Sequence, residues 1–296
     1  MQLRLHALGP SQYIEYAEFG DPKGKPAVFF HGFVGSVHQA RAAHQAAAEL
    51  GLRIIAPHRP GVGRATPVSG RSIHDAVQPA FALLRQLNID SYAAIGVSGG
   101  APYAVACAVL DAQRVRRLAL VSPLGPLGER HIRRAMRSRL RGLLAVGSMG
   151  GVGRRTISGL FSIKHRLFAR NLRSEVLRFV QAVSPADIGR FSENIEGALD
   201  MFVDDHAVIL ATQDASRHLS IEIQRYWNWG FHFGHLPVPC RIWHGADDVM
   251  VPQASAEYFH ARFPEADYRL IPGGHFASLG CLRDIVAFAT GRREAD

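Results

Sequence analysis

The chain has 296 residues, 47% hydrophobic and 20% charged, with a net charge of +9. These are the proportions of a globular protein with a large core, which excludes a disordered or fibrous chain. Its three cysteines, Cys107, Cys240 and Cys281, are odd in number and share no CxxC or Cys/His spacing, so neither a disulfide framework nor a structural zinc is expected.

Apolar runs predict strands at about 2–8, 12–19, 26–31, 53–57, 92–97, 115–121, 239–245 and 267–272. Helical patterns fall between several of them, at about 37–50, 72–88, 99–111, 253–263 and 276–289. Only Gly9-Pro10-Ser11 separates the first two strands, which predicts an antiparallel start. Later strands alternate with helices, as parallel pairing requires. Val28-Phe29-Phe30, Ile54-Ile55-Ala56 and Leu118-Ala119-Leu120-Val121 are apolar throughout, the pattern of strands covered on both faces.

From Pro123 to Leu236 the alternation stops. The segment is helical in character, with Gly-rich breaks at 147–153, and its first part sets Ile132, Met136, Leu140 and Leu143/Leu144 on one stripe. The expected organisation is a core formed by 1–123 and 236–296, with 124–235 inserted after the sixth strand as a helical cap. Charge follows this division. Residues 129–178 hold thirteen Lys/Arg against Glu129 and Glu175, so this segment carries +11 and the remainder −2. Basicity confined to one segment argues against nucleic-acid binding. The expected role of the arginines at 130–141 is a solvated basic face of a cap helix that buries Ile132, Met136 and Leu140. The alternatives are attraction of an anionic substrate or an acidic partner surface, and weak peripheral contact with anionic lipid. No run approaches the roughly 18 apolar residues of a membrane span, and Met1–His6 opens no leader-like segment. A cytoplasmic protein is expected.

Gly96-Val97-Ser98-Gly99-Gly100 links the strand ending at Val97 to the helix beginning near Ala101. Strand, sharp turn and helix with serine at the point lift a hydroxyl out of a sheet. Side chains at 96 and 100 would collide with strand and helix, hence glycine at both. A serine hydroxyl needs a base, an orienter for that base, and donors for the oxyanion. The base candidate is His275, where Gly273-Gly274 follows the last strand. The orienting acid lies in Gly245-Ala246-Asp247-Asp248 after the seventh strand, with Asp247 and Asp248 separated only by register. The oxyanion donors are the backbone N–H groups of Gly99 and of Phe33, in His31-Gly32-Phe33 after the third strand. Aromatic Tyr226–Phe233 reads chiefly as packing; Trp227, Trp229 and Phe231 are the candidates for lining a pocket. Asp200, Asp204, Asp205 and His206 read as a solvated helix face or loop without a metal-ligand pattern.

The chain resembles the α/β-hydrolase superfamily through Phe30-His31-Gly32-Phe33, Arg59-Pro60-Gly61-Val62-Gly63, Gly96-Val97-Ser98-Gly99-Gly100, Gly245 to Pro252 and Gly273-Gly274-His275-Phe276. The resemblance implies a mostly parallel eight-stranded sheet with helices on both faces and a triad of Ser98, Asp248 and His275, in the superfamily's order. It selects Asp248 over Asp247. His58 stands where relatives often have Asp before Arg-Pro-Gly, which puts the local hydrogen bonding of that loop in question. Serine at 98 separates the chain from the haloalkane dehalogenase and epoxide hydrolase branches, whose elbow carries Asp. The implied activity is hydrolysis of an ester, thioester, lactone or activated carbon–carbon bond of a small, mostly apolar molecule, without metal or cofactor. Perhydrolase and acyltransferase chemistry fall in the same class, and a ligand sensor built on the capped pocket is the alternative.

Overall fold

The computed structural model describes residues 2–168, 171–234, 236, 238–263 and 265–292, without the side chains of 139, 164, 165, 167, 168 and 196. Arg139, Lys164 and Arg170, counted above among the basic residues, and the expected boundary residue 235 fall outside that description. The eight strands are β1 (Arg4–Gly9), β2 (Gln12–Gly20), β3 (Lys25–Phe30), β4 (Leu52–Pro57), β5 (Tyr92–Val97), β6 (Val115–Val121), β7 (Cys240–Gly245) and β8 (Asp267–Ile271). They form one sheet in the order β1-β2-β4-β3-β5-β6-β7-β8. β1 and β2 are antiparallel, as is the β2–β4 pair, and all other pairs are parallel.

The central strands are covered on both faces, as their unbroken apolar sequences demand. One layer comprises α2 (Ile73–Gln86), α3 (Ala101–Leu110) and α11 (Gln253–His260), and the other comprises α1 (His44–Leu50) and α12 (Leu282–Thr290). Alternate residues of each strand face opposite layers. In β3, Val28 and Phe30 join the first core, and Ala27 and Phe29 the second. At the start of α2, Ser72 accepts from the N–H of Asp75 while the Asp75 carboxylate accepts from the N–H of Ser72, a reciprocal cap.

Between β6 and β7 the chain leaves the sheet for a helical excursion: α4 (Arg130–Ala135), α5 (Ser138–Gly147), α6 (Gly150–Phe168), α7 (Leu172–Val183), α8 (Ile188–Ser192), α9 (Ala198–Ala211) and α10 (Ala215–Trp227). The first stripe is split, because Met136 takes an extended ψ of 149° between α4 and α5. The Gly-rich stretch breaks the chain only briefly, since Gly151 and Gly153 lie inside α6. A Cβ on Gly153 would fall 1.8 Å from the Val146 carbonyl oxygen. Glycine here permits close crossing of α5 and α6 rather than a loop. Among the described residues no helix is long and apolar enough to cross a membrane.

The His58 departure is compensated from β2. Buried Glu15 accepts from His58 Nδ1 at 3.2 Å and from the Arg64 N–H at 3.0 Å through Oε2, and from Arg64 Nε at 2.9 Å through Oε1. Burial alone would raise the Glu15 carboxyl, but these donors outweigh it and hold it down at about 2. The carboxylate that serves this loop therefore enters from the neighbouring strand.

A carboxylate with a depressed folded-state pKa stabilises above its unfolded value, near 4.5, and loses that stabilisation as pH falls towards 2. Glu15→Gln is expected to lower the unfolding free energy by on the order of 3 kcal/mol at neutral pH. The gap between variant and parent should close as pH falls through 4.5 to 2 in denaturant titrations.

Candidate active site

β5 delivers Ser98 to the carboxyl end of the sheet, where its φ of +51° lies in the left-handed region. A non-glycine residue held there stores on the order of 1–3 kcal/mol of strain, and the packing around it leaves no alternative. A Cβ on Gly100 would fall 2.0 Å from the Phe30 carbonyl oxygen, and one on Gly96 would fall 2.7 Å from Ala101 Cα. Gly100 thus lets the turn press against β3, and Gly96 lets the start of α3 pack closely on β5.

Ser98 Oγ lies 3.0 Å from His275 Nε2, and His275 Nδ1 lies 2.7 Å from Asp248 Oδ2. The other oxygen, Asp248 Oδ1, accepts from the N–H groups of Met250 (2.8 Å) and Val251 (2.9 Å). Burial pushes the Asp248 carboxyl up, but the adjacent His275 ring and the Val251 N–H outweigh it and hold the group below its usual range. Asp248 is therefore an ionised acceptor, which places the imidazole hydrogen on Nδ1 and leaves Nε2 to accept from the serine hydroxyl. Asp247 is exposed, with its backbone N–H on the Gly273 carbonyl. The structure thus brings Ser98, Asp248 and His275 into one hydrogen-bonded chain.

Phe33 sits beside this chain: a Cβ on Gly99 would fall 3.0 Å from Phe33 Cβ, and one on Gly32 would fall 3.6 Å from Ser98 Cβ. Gly32, Phe33, Ser98 and His275 border a cavity of about 160 Å³. Its walls are otherwise mainly apolar, with Leu124, Met136, Leu140 and Leu143 among them on the side of α4 and α5, and Phe179, Met201, Phe202 and Leu279 on the side of α7 and α9.

The pocket expectation for the aromatic stretch is corrected. Trp227, Trp229 and Phe231 do not line this cavity. Trp229, 6% exposed, packs with Phe231, Phe233 and Phe259 at ring separations of 5.6–6.1 Å. Trp227 donates from Nε1 to the Leu144 carbonyl, with the Arg133 guanidinium over its ring. The stretch anchors the return to β7, because four large rings exclude more water packed together than spread over a pocket wall. Tyr226 alone of this group reaches the cavity.

A second correction concerns Asp205 and His206, expected on a solvated face. Both are buried, and Asp205 is 0% exposed. Asp205 Oδ1 accepts from the Ser36 N–H and hydroxyl, and Oδ2 accepts from Gln39 Nε2 at 2.9 Å. Gln39 Oε1 in turn accepts from the Gly32 N–H at 2.6 Å, so Asp205 holds the loop carrying Phe33. Burial pushes its carboxyl up to about 7 against the opposing donors. Asp200 and Asp204 are exposed or partly so, paired with Arg173 and Arg41. Among the described residues no group of three or more His, Cys, Asp or Glu is placed to hold a metal.

Sequence reasoning missed two further buried carboxylates from the excursion. Asp187 Oδ1 accepts from the Gly274 N–H at 3.1 Å, and its Oδ2 accepts from the Phe276 N–H at 2.9 Å and from the Ser184 hydroxyl. Ser184 Oγ accepts from the His275 N–H at 2.7 Å. Glu222 accepts from Arg59 Nη1 (3.0 Å), Arg225 Nη1 (3.2 Å) and the Tyr103 hydroxyl (2.8 Å). Arg59 also donates to the Tyr226 hydroxyl and to the His31 carbonyl. Ser184-Pro185-Ala186-Asp187 has the spacing of a helix cap, but nothing in it points to a loop 87 residues away.

A family model described as the alpha/beta hydrolase fold matches residues 25–280. A Bacillus subtilis (strain 168) protein named uncharacterized hydrolase YcgS is 34% identical over 109 residues, 37% of either chain. Solved structures of similar shape include a hydrolase from Pseudomonas aeruginosa PA01 (TM-score 0.68, 17% identity, 98% of both chains). The enol-lactonase of Burkholderia xenovorans LB400 (TM-score 0.66, 16% identity, 96% of this chain and 98% of that one) is another. At such identity these structures share the fold.

Two outcomes are expected. Asp205→Asn and Asp187→Asn each put an amide NH2 against donors that need an acceptor, so each should slow fluorophosphonate labelling of Ser98 by roughly tenfold or more, as loop misplacement does. Trp229→Ala should lower unfolding free energy by about 3–5 kcal/mol while leaving the labelling rate of the folded protein near the parent's.

Proposed function

The chain belongs to the alpha/beta hydrolase fold family, and from that premise we propose that it is a serine hydrolase cleaving a carboxylic ester or related acyl bond of a small, mostly apolar substrate. The observation that carries this reading is the unbroken path from Ser98 Oγ through His275 to Asp248, at 3.0 and 2.7 Å, opening on an apolar cavity. Ser98 attacks the substrate carbonyl as His275 Nε2 takes its proton. Asp248 keeps the other ring hydrogen in place and stabilises the imidazolium. The N–H groups of Phe33 and Gly99 receive the oxyanion. His275 then protonates the leaving alcohol; a water deprotonated by the same nitrogen attacks the acyl carbon, and the imidazolium returns that proton to Ser98 Oγ as the Oγ–acyl bond breaks and the acid departs. No step calls for a metal or cofactor. The excursion serves as the cap, closing the cavity and clamping the loops beneath it.

Apolar walls favour burial of a hydrocarbon portion, at about 0.8 kcal/mol per CH₂. They place no demand on the leaving group, and the fold hosts several acyl chemistries. The substrate panel therefore spans p-nitrophenyl esters of increasing chain length, thioesters and lactones, the last because one structural neighbour is an enol-lactonase.

Ser98→Ala should lower turnover on the best substrate by on the order of 10³-fold or more and abolish fluorophosphonate labelling. Unchanged turnover in that variant would overturn the mechanism. Labelling of the parent without turnover of any substrate would favour a ligand-binding role for the same cavity.

A further inference from the structure

Between Glu129 and Glu175 there is no acidic residue, while twelve Lys/Arg occur there. The same stretch holds four exposed large hydrophobic residues within fifteen positions: Met149 (60% exposed), Val152 (66%), Leu160 (47%) and Ile163 (60%). Val152, Leu160 and Ile163 recur on α6 at steps of eight and three, with exposed Thr156 between the first two, and so share one helix face. Exposed Arg155 and Arg166 stand on or beside that face. Among the described residues, no carboxylate lies within ion-pair distance of Arg134, Arg137, Arg141, Arg154, Arg155 or Arg166.

The inward face of α6 is occupied. Ile157 is buried, and Phe161 meets the Phe33 ring edge-on at 6.0 Å. α5 packs alongside, and its Leu140, Leu143 and Leu144 line the cavity. The outward apolar stripe is therefore surplus to packing the helix onto the protein. A purely solvated basic face accounts for the arginines but not for Val152, Leu160 and Ile163, since apolar surface is favoured out of water. Both are accounted for by one surface that is negative at its headgroups and apolar just beneath them.

We propose that the outward face of α6 is a docking surface for an anionic lipid bilayer, with the apolar stripe entering the headgroup–acyl boundary and the flanking arginines meeting lipid phosphates. Docked in this way, the lipid surface lies one helix away from Phe33 and from the cavity wall. Where it concerns substrate supply, the inference rests on the hydrolase reading: the bilayer would deliver esters already dissolved in it. The docking itself does not rest on that reading and is measured without substrate.

The test is cosedimentation of the full chain with vesicles of pure phosphatidylcholine and with vesicles containing about 30% phosphatidylglycerol. Partition onto the anionic vesicles should be at least about tenfold stronger at low salt and should weaken as salt rises towards about 0.5 M. The double substitutions Leu160→Glu/Ile163→Glu and Arg155→Glu/Arg166→Glu, all at exposed positions, should each reduce partition by about tenfold or more. Turnover of a short water-soluble ester should stay unchanged in both. Absence of binding to anionic vesicles at low salt overturns the proposal, as does binding that neither double substitution weakens. Retention on polyglutamate beads as tight as on vesicles, lost only in the arginine variant, would also overturn it and point to an acidic protein partner. Failure of the docking test leaves the hydrolase reading intact, and loss of the hydrolase reading leaves the vesicle result intact.

Discussion

Three buried carboxylates hold this site together. Asp187, Asp205 and Glu222 all belong to the helical excursion, and each receives two or more donors. A carboxyl group taken out of water, ionised or not, is costly unless its oxygens find hydrogen-bond partners. Asp205 finds its donors on the loop after β3 and Asp187 on the loop after β8, while Glu222 reaches Arg59 in the loop after β4. Neither side can settle alone: the carboxylates need the loops' donors, and the loops need acceptors for their N–H groups. The excursion is therefore a structural member of the site as well as a wall of the cavity.

That constraint explains how a strained serine is held. Ser98 keeps its positive φ because β3 and α3 enclose the turn on both sides. Tyr226 closes it from above, since a Cβ on Gly99 would fall 2.3 Å from the Tyr226 hydroxyl oxygen. Arg59, bonded to that same hydroxyl, to Glu222 and to the His31 carbonyl, connects the excursion to the Phe33 loop. Strain at Ser98, placement of the loop carrying Phe33 and docking of α10 are consequences of one network.

The same helices divide their labour between faces. Inward-facing Leu140, Leu143, Leu144, Phe161 and Tyr226 build the cavity or meet Phe33. The aromatic cluster around Trp229 anchors the end of the excursion to α11 and the first core layer. The outward side of α6 carries exposed arginines beside an apolar stripe, and the segment from 129 to 178 supplies the chain's excess positive charge.

All eight strands and the five core helical segments were legible in the sequence, because alternation and unbroken apolar runs record which faces meet a core. The loops holding Ser98, Phe33 and His275 were legible for a related reason: each ends or follows a strand, where glycine spacing marks the backbone contacts that a side chain would prevent, whereas only the family resemblance chose Asp248, the residue found against His275, over Asp247. That position 58 holds His where the family resemblance leads one to expect Asp was visible, but its carboxylate partner Glu15 was not, since the two residues meet only when β2 pairs with β4. Asp205 was expected in water and Asp187 drew no reading at all, because a carboxylate on a helix looks the same in sequence whether it faces water or a loop more than eighty residues away. Sequence records the local rules of turn, period and register, whereas the partner of a buried charge is chosen by packing between distant segments, and only the tertiary structure decides it.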